Sequence, residues 1–351
     1  MRYKNVRLAS FGYELAPNVV TSADLEERLT PLYDRLRLPK GRLELMTGIR
    51  ERRFWNKGER PSSAAVRAGE KALRASGLDK EVVKGLCHGA VCRDFLEPAT
   101  ASVEHHRLGL PADAMIFDVS NACLGLLDGM ILLANMIELG QIPAGIALAG
   151  EMGESLVEAT IRHLNDDQTL TRQSVKAHFA SLTIGSGAAA VVLAHKDLCP
   201  DGHKLLGGAV RCRSEHSALC ASDQDTGFGA TAAPLMSTDS EELLHAGCSL
   251  AAETWGPFLG EMGWAADMID ASFTHQVGAA HRKLMYRSIG LPEEKDFETV
   301  SFLGNVGSVS APITLALGAE RGHVKPGDKV AVLGIGSGLN CMMLGIEWGG
   351  R

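Results

Sequence analysis

The amino-acid sequence predicts an α/β fold made of two similar halves. The tetrapeptide Ile-Gly-Ser-Gly occurs at positions 184–187 and again at 335–338, and an apolar run follows each copy. In both halves, strand-like apolar segments alternate with segments of helical character. This alternation is typical of βαβ units, in which parallel strands carry helices on the faces of the sheet. We therefore expect one half at residues 1–197 and the other at residues 204–351, joined by residues 198–203.

The individual elements of the first half follow from its apolar runs. A strand is predicted at residues 114–119, a helix from Leu124, and a second strand from Ala144. Residues 154–180 are charged and helical in character. Because they interrupt the order of strands and helices, we expect them to form an inserted cap.

The second half repeats this layout. A strand is predicted at residues 299–303, a Gly-Asn turn follows it, and a helix rich in small residues runs from about Ser308 to Arg321. A further strand begins at Lys329. Glycine and proline near the start of this helix are poor interior helix residues, so its first turn is expected to be irregular.

Composition and charge exclude several classes of protein. The formal net charge of −7 gives no overall attraction to nucleic acid or to anionic lipid. The eight cysteines are scattered, which favours reduced thiols over a disulfide framework. No signal peptide is visible at the start, and no run of apolar residues is long enough to span a membrane. We expect a cytoplasmic protein with no nucleic-acid partner and no membrane span.

Cys123 is the candidate nucleophile. It lies between a predicted strand and a predicted helix, where the unpaired N–H groups of a helix start favour a thiolate. A buried cysteine that only fills space is an equally good interpretation of its position. His275 at the end of a strand and Asn305 in a turn carry little information by themselves.

Taken together, these residues resemble a known family. The segments FDVSNACLG around Cys123, THQ at 274–276 and GNVGSVSAP at 304–312 are similar, in order and layout, to the ketoacyl synthase III branch of the thiolase superfamily. TGIRERR at 47–53 and the closing GIGSGLN resemble the same family. The resemblance runs from about residue 45 to the end. It implies a thiolase fold, with two pseudo-equivalent βαβαβ halves in an α-β-α-β-α arrangement of layers.

The resemblance also implies a division of labour. Cys123 accepts an acyl group as a thioester. Backbone N–H groups of Cys123 and Ser337 form the oxyanion hole. His275 and Asn305 hold the enolate oxygen of the second substrate. Acyl-CoA is a substrate in this scheme, so no cofactor is expected.

Glu97 selects a subfamily. CRDFLEPATAS at 92–102 resembles the OleA-type synthases, which condense two long-chain acyl-CoAs head to head. A plain acyl-CoA must lose an α-proton, which requires a base. The resemblance implies that Glu97 is this base and acts in trans across a homodimer. Otherwise Glu97 would be an ordinary exposed carboxylate on a loop.

Several alternatives remain open at this stage. A related enzyme could use a malonyl extender, which loses carbon dioxide and needs no base, or could pass the acyl chain to an alcohol. A catalytically silent subunit of the same fold could serve only as a scaffold for a partner. The basic cluster of Arg50, Arg52 and Arg53 could contact CoA or an acidic carrier protein. The positions of the family's adenine clamp hold Arg42 and Met46 instead, so the adenine contacts are not assigned.

Two further motifs are rejected as cofactor sites. The glycines at 334, 336 and 338 precede a strand-like run and no helix, unlike a dinucleotide-binding loop. Cys87, His88 and Cys92 lack a second pair of ligands at zinc-site spacing, so no metal is expected.

Overall fold

The computed structural model describes residues 1–222 and 235–350, and within them a nine-stranded sheet runs through the whole fold. Two short two-stranded sheets accompany it. The strands are β1 (Val6–Leu15), β2 (Asn18–Thr21), β3 (Glu51–Phe54), β4 (Val83–Gly89), β5 (Met115–Val119), β6 (Ala144–Glu151), β7 (Gly187–His195), β8 (His203–Cys212), β9 (Cys220–Ser222), β10 (Met236–Thr238), β11 (Ala271–Thr274), β12 (Lys329–Gly336) and β13 (Asn340–Glu347).

Helices connect and cover these strands. They are α1 (Ser22–Arg28), α2 (Thr30–Leu36), α3 (Arg42–Thr47), α4 (Pro61–Ser76), α5 (Thr100–Leu108), α6 (Gly125–Glu138), α7 (Glu154–Asp166), α8 (Lys176–Phe179), α9 (Ser240–Met262), α10 (Ala279–Ile289), α11 (Val300–Leu303) and α12 (Ser310–Glu320). Among the described residues, no helix combines the length and apolarity needed to cross a bilayer.

The order of the large sheet shows the repeat. It runs β11-β12-β13-β8-β1-β7-β6-β4-β5. In the first half, β4 pairs parallel to β6, while β6–β7 and β7–β1 are antiparallel. In the second half, β11 pairs parallel to β12, while β12–β13 and β13–β8 are antiparallel. The same succession of strand senses occurs on both sides of the β1–β8 contact, which confirms the predicted α/β fold. The exact division at residues 198–203 stays a prediction.

Helices form three layers around the two halves of the sheet. α4 covers β1, β6 and β7 from outside, and α9 covers β8 and β13 from the opposite outside face. α6 and α12 lie between the halves, where they share one apolar core with strands from both. The approach is close: a Cβ at Gly334 of β12 would lie 2.5 Å from Leu124 Cδ2, just before α6. Gly334 therefore allows β12 to pack closely against the residue that precedes α6.

The predicted cap is helical. Residues 154–180 form α7 and α8, which pack through a separate apolar cluster on α1 and α2.

The strand predicted at residues 299–303 is wrong. Val300–Leu303 forms the short helix α11 instead. Gln276 Oε1 accepts hydrogen bonds from the backbone N–H groups of Thr299 (2.8 Å) and Val300 (3.0 Å). The first N–H groups of a helix have no partner within the helix, and here Gln276 supplies one. Gln276 thereby stabilises α11, although the β-branched residues Thr299 and Val300 favour a strand.

Candidate active site

Cys123 lies in a short 3₁₀ turn, Ala122–Leu124, between β5 and α6. Ala122 has a left-handed backbone with φ 45°, which costs a non-glycine residue roughly 1 kcal/mol or more. The turn packs against the turn Gly307–Val309 and against β12. Contacts with residues of the second half therefore stabilise the strained turn in which Cys123 lies.

Two backbone groups act on the thiol of Cys123. Hydrogen bonding from the N–H groups of Ser337 and of Cys123 itself lowers its pKa. Burial opposes them, and the nearby Glu151 carboxylate adds to its effect, so the pKa of Cys123 is raised to about 12. The thiolate expected from the helix start is therefore wrong for the free protein, because desolvation outweighs the donors.

Asparagine side chains join the turn of Cys123 to the terminal loop. Asn121 and Asn340 exchange hydrogen bonds, each 3.3 Å long. Asn340 Nδ2 also donates to the carbonyl of Ser337 at 2.9 Å, and Asn121 Nδ2 donates to Asp128 at 2.6 Å. These bonds fix the position of the Ser337 peptide relative to the nucleophile.

His275 follows β11 and is buried, with 4% of its surface exposed. Its backbone N–H donates to Leu333 of β12 at 2.9 Å, which places it beside the strand that touches Leu124. Burial lowers its pKa to about 3, and the neighbouring His281 adds to the effect. His275 is therefore neutral at physiological pH, and one of its ring nitrogens can donate a hydrogen bond.

A buried polar network holds the residues on both sides of His275. Asp296 accepts hydrogen bonds from Thr274 (3.3 Å), Gln276 (3.2 Å) and Arg282 (2.5 Å). The Asp296 side chain has no exposed surface. Since Thr274 and Gln276 flank His275 directly, the network fixes its backbone.

Asn305 is held by its backbone between two residues of the first half. Its N–H donates to the carbonyl of Thr183 at 2.9 Å, and its carbonyl accepts from Gly185 at 2.8 Å. Its Oδ1 accepts from the Gly307 N–H at 3.0 Å. Because Oδ1 is engaged, the NH₂ group is the end of the amide that can donate to a ligand.

Arg52 was wrongly predicted to contact CoA. Its side chain is completely buried and donates to Ser22 Oγ (3.1 Å) and to the carbonyl of Leu182 (3.2 Å). A Cβ on Gly304 would lie 3.1 Å from Arg52 Cβ. Arg52 therefore supports the turn of Asn305 from beneath and is not available to a soluble ligand.

Arg53 and Arg50 are more exposed than Arg52. Arg53 is partly buried and donates to the carbonyl of Ala16 at 3.3 Å, so its guanidinium already has an internal partner. Arg50 is 60% exposed in its side chain and lies 3.8 Å from Glu51. Only Arg50 of the three keeps a largely exposed charge.

Glu97 lies on the loop between β4 and α5 and is exposed. The loop is anchored at Asp94, which accepts from both the backbone N–H (2.9 Å) and the hydroxyl (2.6 Å) of Ser62. The exposed Leu96 precedes Glu97. In the single chain, the predicted base is thus presented on the surface by an anchored loop.

The sequence analysis missed Glu151. It ends β6, is 4% exposed, and its carboxylate lies near Cys123. Ser308, Val91 and Cys92 donate hydrogen bonds to it. A carboxylate at the end of the otherwise apolar strand 144–151 is the one signal that could have indicated it.

Comparison with known proteins agrees with this geometry. Residues 259–348 match the family described as the C-terminal part of 3-oxoacyl-[acyl-carrier-protein] synthase III. The chain is 44% identical to an acyl-CoA:acyl-CoA alkyltransferase of Shewanella oneidensis, over 99% of this chain and all of that protein. It is 28% identical to a beta-ketoacyl-[acyl-carrier-protein] synthase III of Novosphingobium aromaticivorans, over 84% of this chain and 86% of that protein.

A solved structure extends the comparison. The OleA protein of Xanthomonas campestris superposes with a TM-score of 0.93 at 36% identity, covering 99% of this chain and 98% of that one. It carries the thiolase fold, which confirms the fold class that the resemblance implied. Since the similarity spans both halves and the full length, the chain is a thiolase-fold condensing enzyme and belongs to the acyl-CoA:acyl-CoA alkyltransferase family.

Proposed function

We propose that this enzyme joins two fatty acyl-CoAs head to head, in a Claisen condensation without loss of carbon dioxide. The observation that carries the proposal is the full-length relation to an acyl-CoA:acyl-CoA alkyltransferase, and the action of two backbone N–H groups on the Cys123 thiol supports it. The first substrate would load onto Cys123, and the second would supply the carbon nucleophile.

Loading is a thioester exchange. The sulfur of Cys123 attacks the acyl carbonyl, a tetrahedral oxyanion forms, and CoA leaves as its thiol with the proton that the cysteine has lost. The N–H groups of Ser337 and Cys123 stabilise the oxyanion. Because the pKa of Cys123 is raised to about 12, loading depends on deprotonation during the reaction, not on a standing thiolate.

Condensation needs a carbanion. Glu97 of the partner subunit takes the α-proton of the second acyl-CoA, and His275 and Asn305 donate to the enolate oxygen. The enolate carbon attacks the thioester on Cys123, the C–S bond breaks, and the sulfur recovers a proton. The product is a 2-alkyl-3-ketoacyl-CoA. The neutral ring of His275 and the NH₂ group of Asn305, whose Oδ1 is already engaged by Gly307, support this role, since both can donate.

A homodimer would bring Glu97 to a neighbouring site. β5 is at the edge of the large sheet, and it exposes Met115 and Ile116. Val91 and Leu96, on the loop of Glu97, are also exposed apolar residues. An apolar sheet edge invites pairing with another chain. The proposed dimer joins these edges in the cytoplasm, with Arg50 as the remaining candidate contact for CoA and with no cofactor.

The rival is a synthase that uses a malonyl extender. The experiment incubates the enzyme with saturated acyl-CoAs of different lengths, with and without malonyl-CoA, and identifies products by mass spectrometry. The proposal predicts a 2-alkyl-3-keto product from acyl-CoA alone. Product formation only when malonyl-CoA is present would contradict it and favour the rival.

A further inference from the structure

We propose that Glu151 is a positioning residue that holds the turn of Asn305 and the loop of Glu97 together, and that its charge acts on the Cys123 thiol. The inference rests on the proposed function, since Asn305 and Glu97 take their roles from it. It adds a link between the two active sites of the dimer. In each subunit the Glu151 carboxylate would align Asn305, which serves the subunit's own site, and the loop of Glu97, which serves the partner's site.

The hydrogen bonds of the Glu151 carboxylate support its positioning role. Oε1 accepts from the hydroxyl (2.5 Å) and backbone N–H (3.2 Å) of Ser308 and from the Val91 N–H (3.1 Å). Oε2 accepts from the Cys92 N–H at 3.3 Å. Ser308 lies three residues after Asn305, and Cys92 lies five residues before Glu97. The carboxylate therefore connects the segments that carry both groups.

The site is built to receive a carboxylate. Its Oε1 would lie 3.1 Å from a Cβ at Gly307, a position with φ 59°. Its four hydrogen bonds all come from donors, so acceptor oxygens are needed on both sides. A glutamine would turn an NH₂ group toward N–H or O–H donors and leave at least one of them without a partner.

The negative charge of Glu151 is proposed to act on the Cys123 thiol. Ser308, which donates to the Glu151 carboxylate, belongs to the turn Gly307–Val309 that packs against the turn of Cys123. The carboxylate therefore lies close to the thiol, and its charge adds to burial in raising the pKa of Cys123. Removing the charge while keeping the size of the side chain should therefore lower this pKa and increase the fraction of thiolate at a given pH. A carboxylate that only stabilises the fold would not show such an effect on one thiol.

Alkylation of Cys123 tests the charge and does not depend on condensation. The rate of iodoacetamide labelling at Cys123 is followed by peptide mass spectrometry from pH 6 to 10 in the intact enzyme. Glu151→Gln should shift the profile to lower pH, with labelling at pH 8 faster by about three- to tenfold. Glu151→Asp keeps the charge and should keep the wild-type profile. A wild-type profile for Glu151→Gln, or an equal shift for both variants, would overturn the role of the charge.

Mixed dimers test the positioning. One subunit carries Cys123→Ala and contributes only its loop, whereas the other carries Glu97→Gln and contributes only its nucleophile site. This parent dimer should keep one productive site. Adding Glu151→Gln to the first subunit disturbs only the loop, and adding it to the second disturbs only the site of Asn305 and Cys123. We expect condensation to fall by about tenfold or more in both cases, as small misplacements of reacting groups do.

The outcomes separate the inference from the proposed function. Loss of activity with Glu151→Gln in only one of the two subunits would overturn the link between the sites. An inactive parent dimer would overturn the trans role of Glu97 and the link with it, while the alkylation profiles would still decide whether the charge acts on Cys123.

Discussion

The surroundings of His275 and of Glu97 differ in how completely a single chain builds them. His275 is buried, and its neighbours Thr274 and Gln276 are fixed by Asp296 within the same chain. Glu97 is exposed, although Asp94 anchors its loop. The groups that we propose to stabilise negative charge are therefore already held within one chain, whereas the proposed base would reach a substrate only in a dimer.

The largest effect should come from the nucleophile, which belongs to the preformed part. Cys123→Ala removes the thiol on which the N–H groups of Ser337 and Cys123 act, so neither loading nor condensation should remain above background. Intact-protein mass spectrometry after mixing with acyl-CoA measures the acyl adduct, and product analysis measures condensation. An acyl adduct of wild-type yield in the variant would show that another residue accepts the chain.

The next effect tests whether the network around His275 is needed for its alignment. Asp296→Asn removes the buried carboxylate that pairs with Arg282 and leaves that guanidinium with only its 3.4 Å contact with the Glu293 carboxylate as an ion pair. The loss should lower the free energy of unfolding by about 1–3 kcal/mol. Condensation should fall with it. Urea unfolding at fixed dimer concentration measures the change.

A surface ion pair provides the matched control. Asp113→Asn breaks the 2.6 Å contact with Lys84, where the Asp113 side chain is 71% exposed. Stability and condensation should stay near wild type, because exposed pairs contribute little. Equal losses for Asp296→Asn and Asp113→Asn would mean that the buried network does not align His275.

The smallest effect concerns the basic cluster. Arg50→Ala should leave stability unchanged and raise the KM for acyl-CoA by no more than about fivefold, the usual worth of one exposed charge contact. Arg52→Lys should instead lower the unfolding midpoint, because a buried lysine cannot reproduce both bonds, to Ser22 and to Leu182. Steady-state kinetics and thermal unfolding of the two variants separate these roles. A change in KM alone for Arg52→Lys would restore it as a CoA contact.

Local sequence patterns predicted much of the molecule. The strand before Cys123, the helix after it and the last two strands follow from short apolar runs, so the place of Cys123 between a strand and a helix could be predicted. Its proposed role came only from the resemblance to a family. The helix at 300–303 could not, because Gln276 stabilises it from more than twenty residues away. Arg52 is a similar case, since its burial arises from Ser22 and Leu182, which no local pattern connects to it.

The charged groups near the nucleophile show the same limit. A helix start next to Cys123 predicts a thiolate, but the burial of the sulfur and the approach of Glu151 depend on the packing of both halves. The glutamate's donors, Ser308 and Cys92, are far apart in the chain. Electrostatic balance at the site is therefore a property of the tertiary structure.

We propose that Glu97 removes the α-proton, and a paired measurement on Glu97→Gln tests this role directly. With saturated acyl-CoA as the sole substrate, CoA release during loading and the amount of 2-alkyl-3-keto product are followed in the same samples. Glutamine keeps the shape of the side chain and removes the base. We predict that loading of Cys123 persists, while condensation falls by about 10²–10⁴-fold, the usual contribution of a general base. Condensation at the wild-type rate would contradict the account and place the base elsewhere.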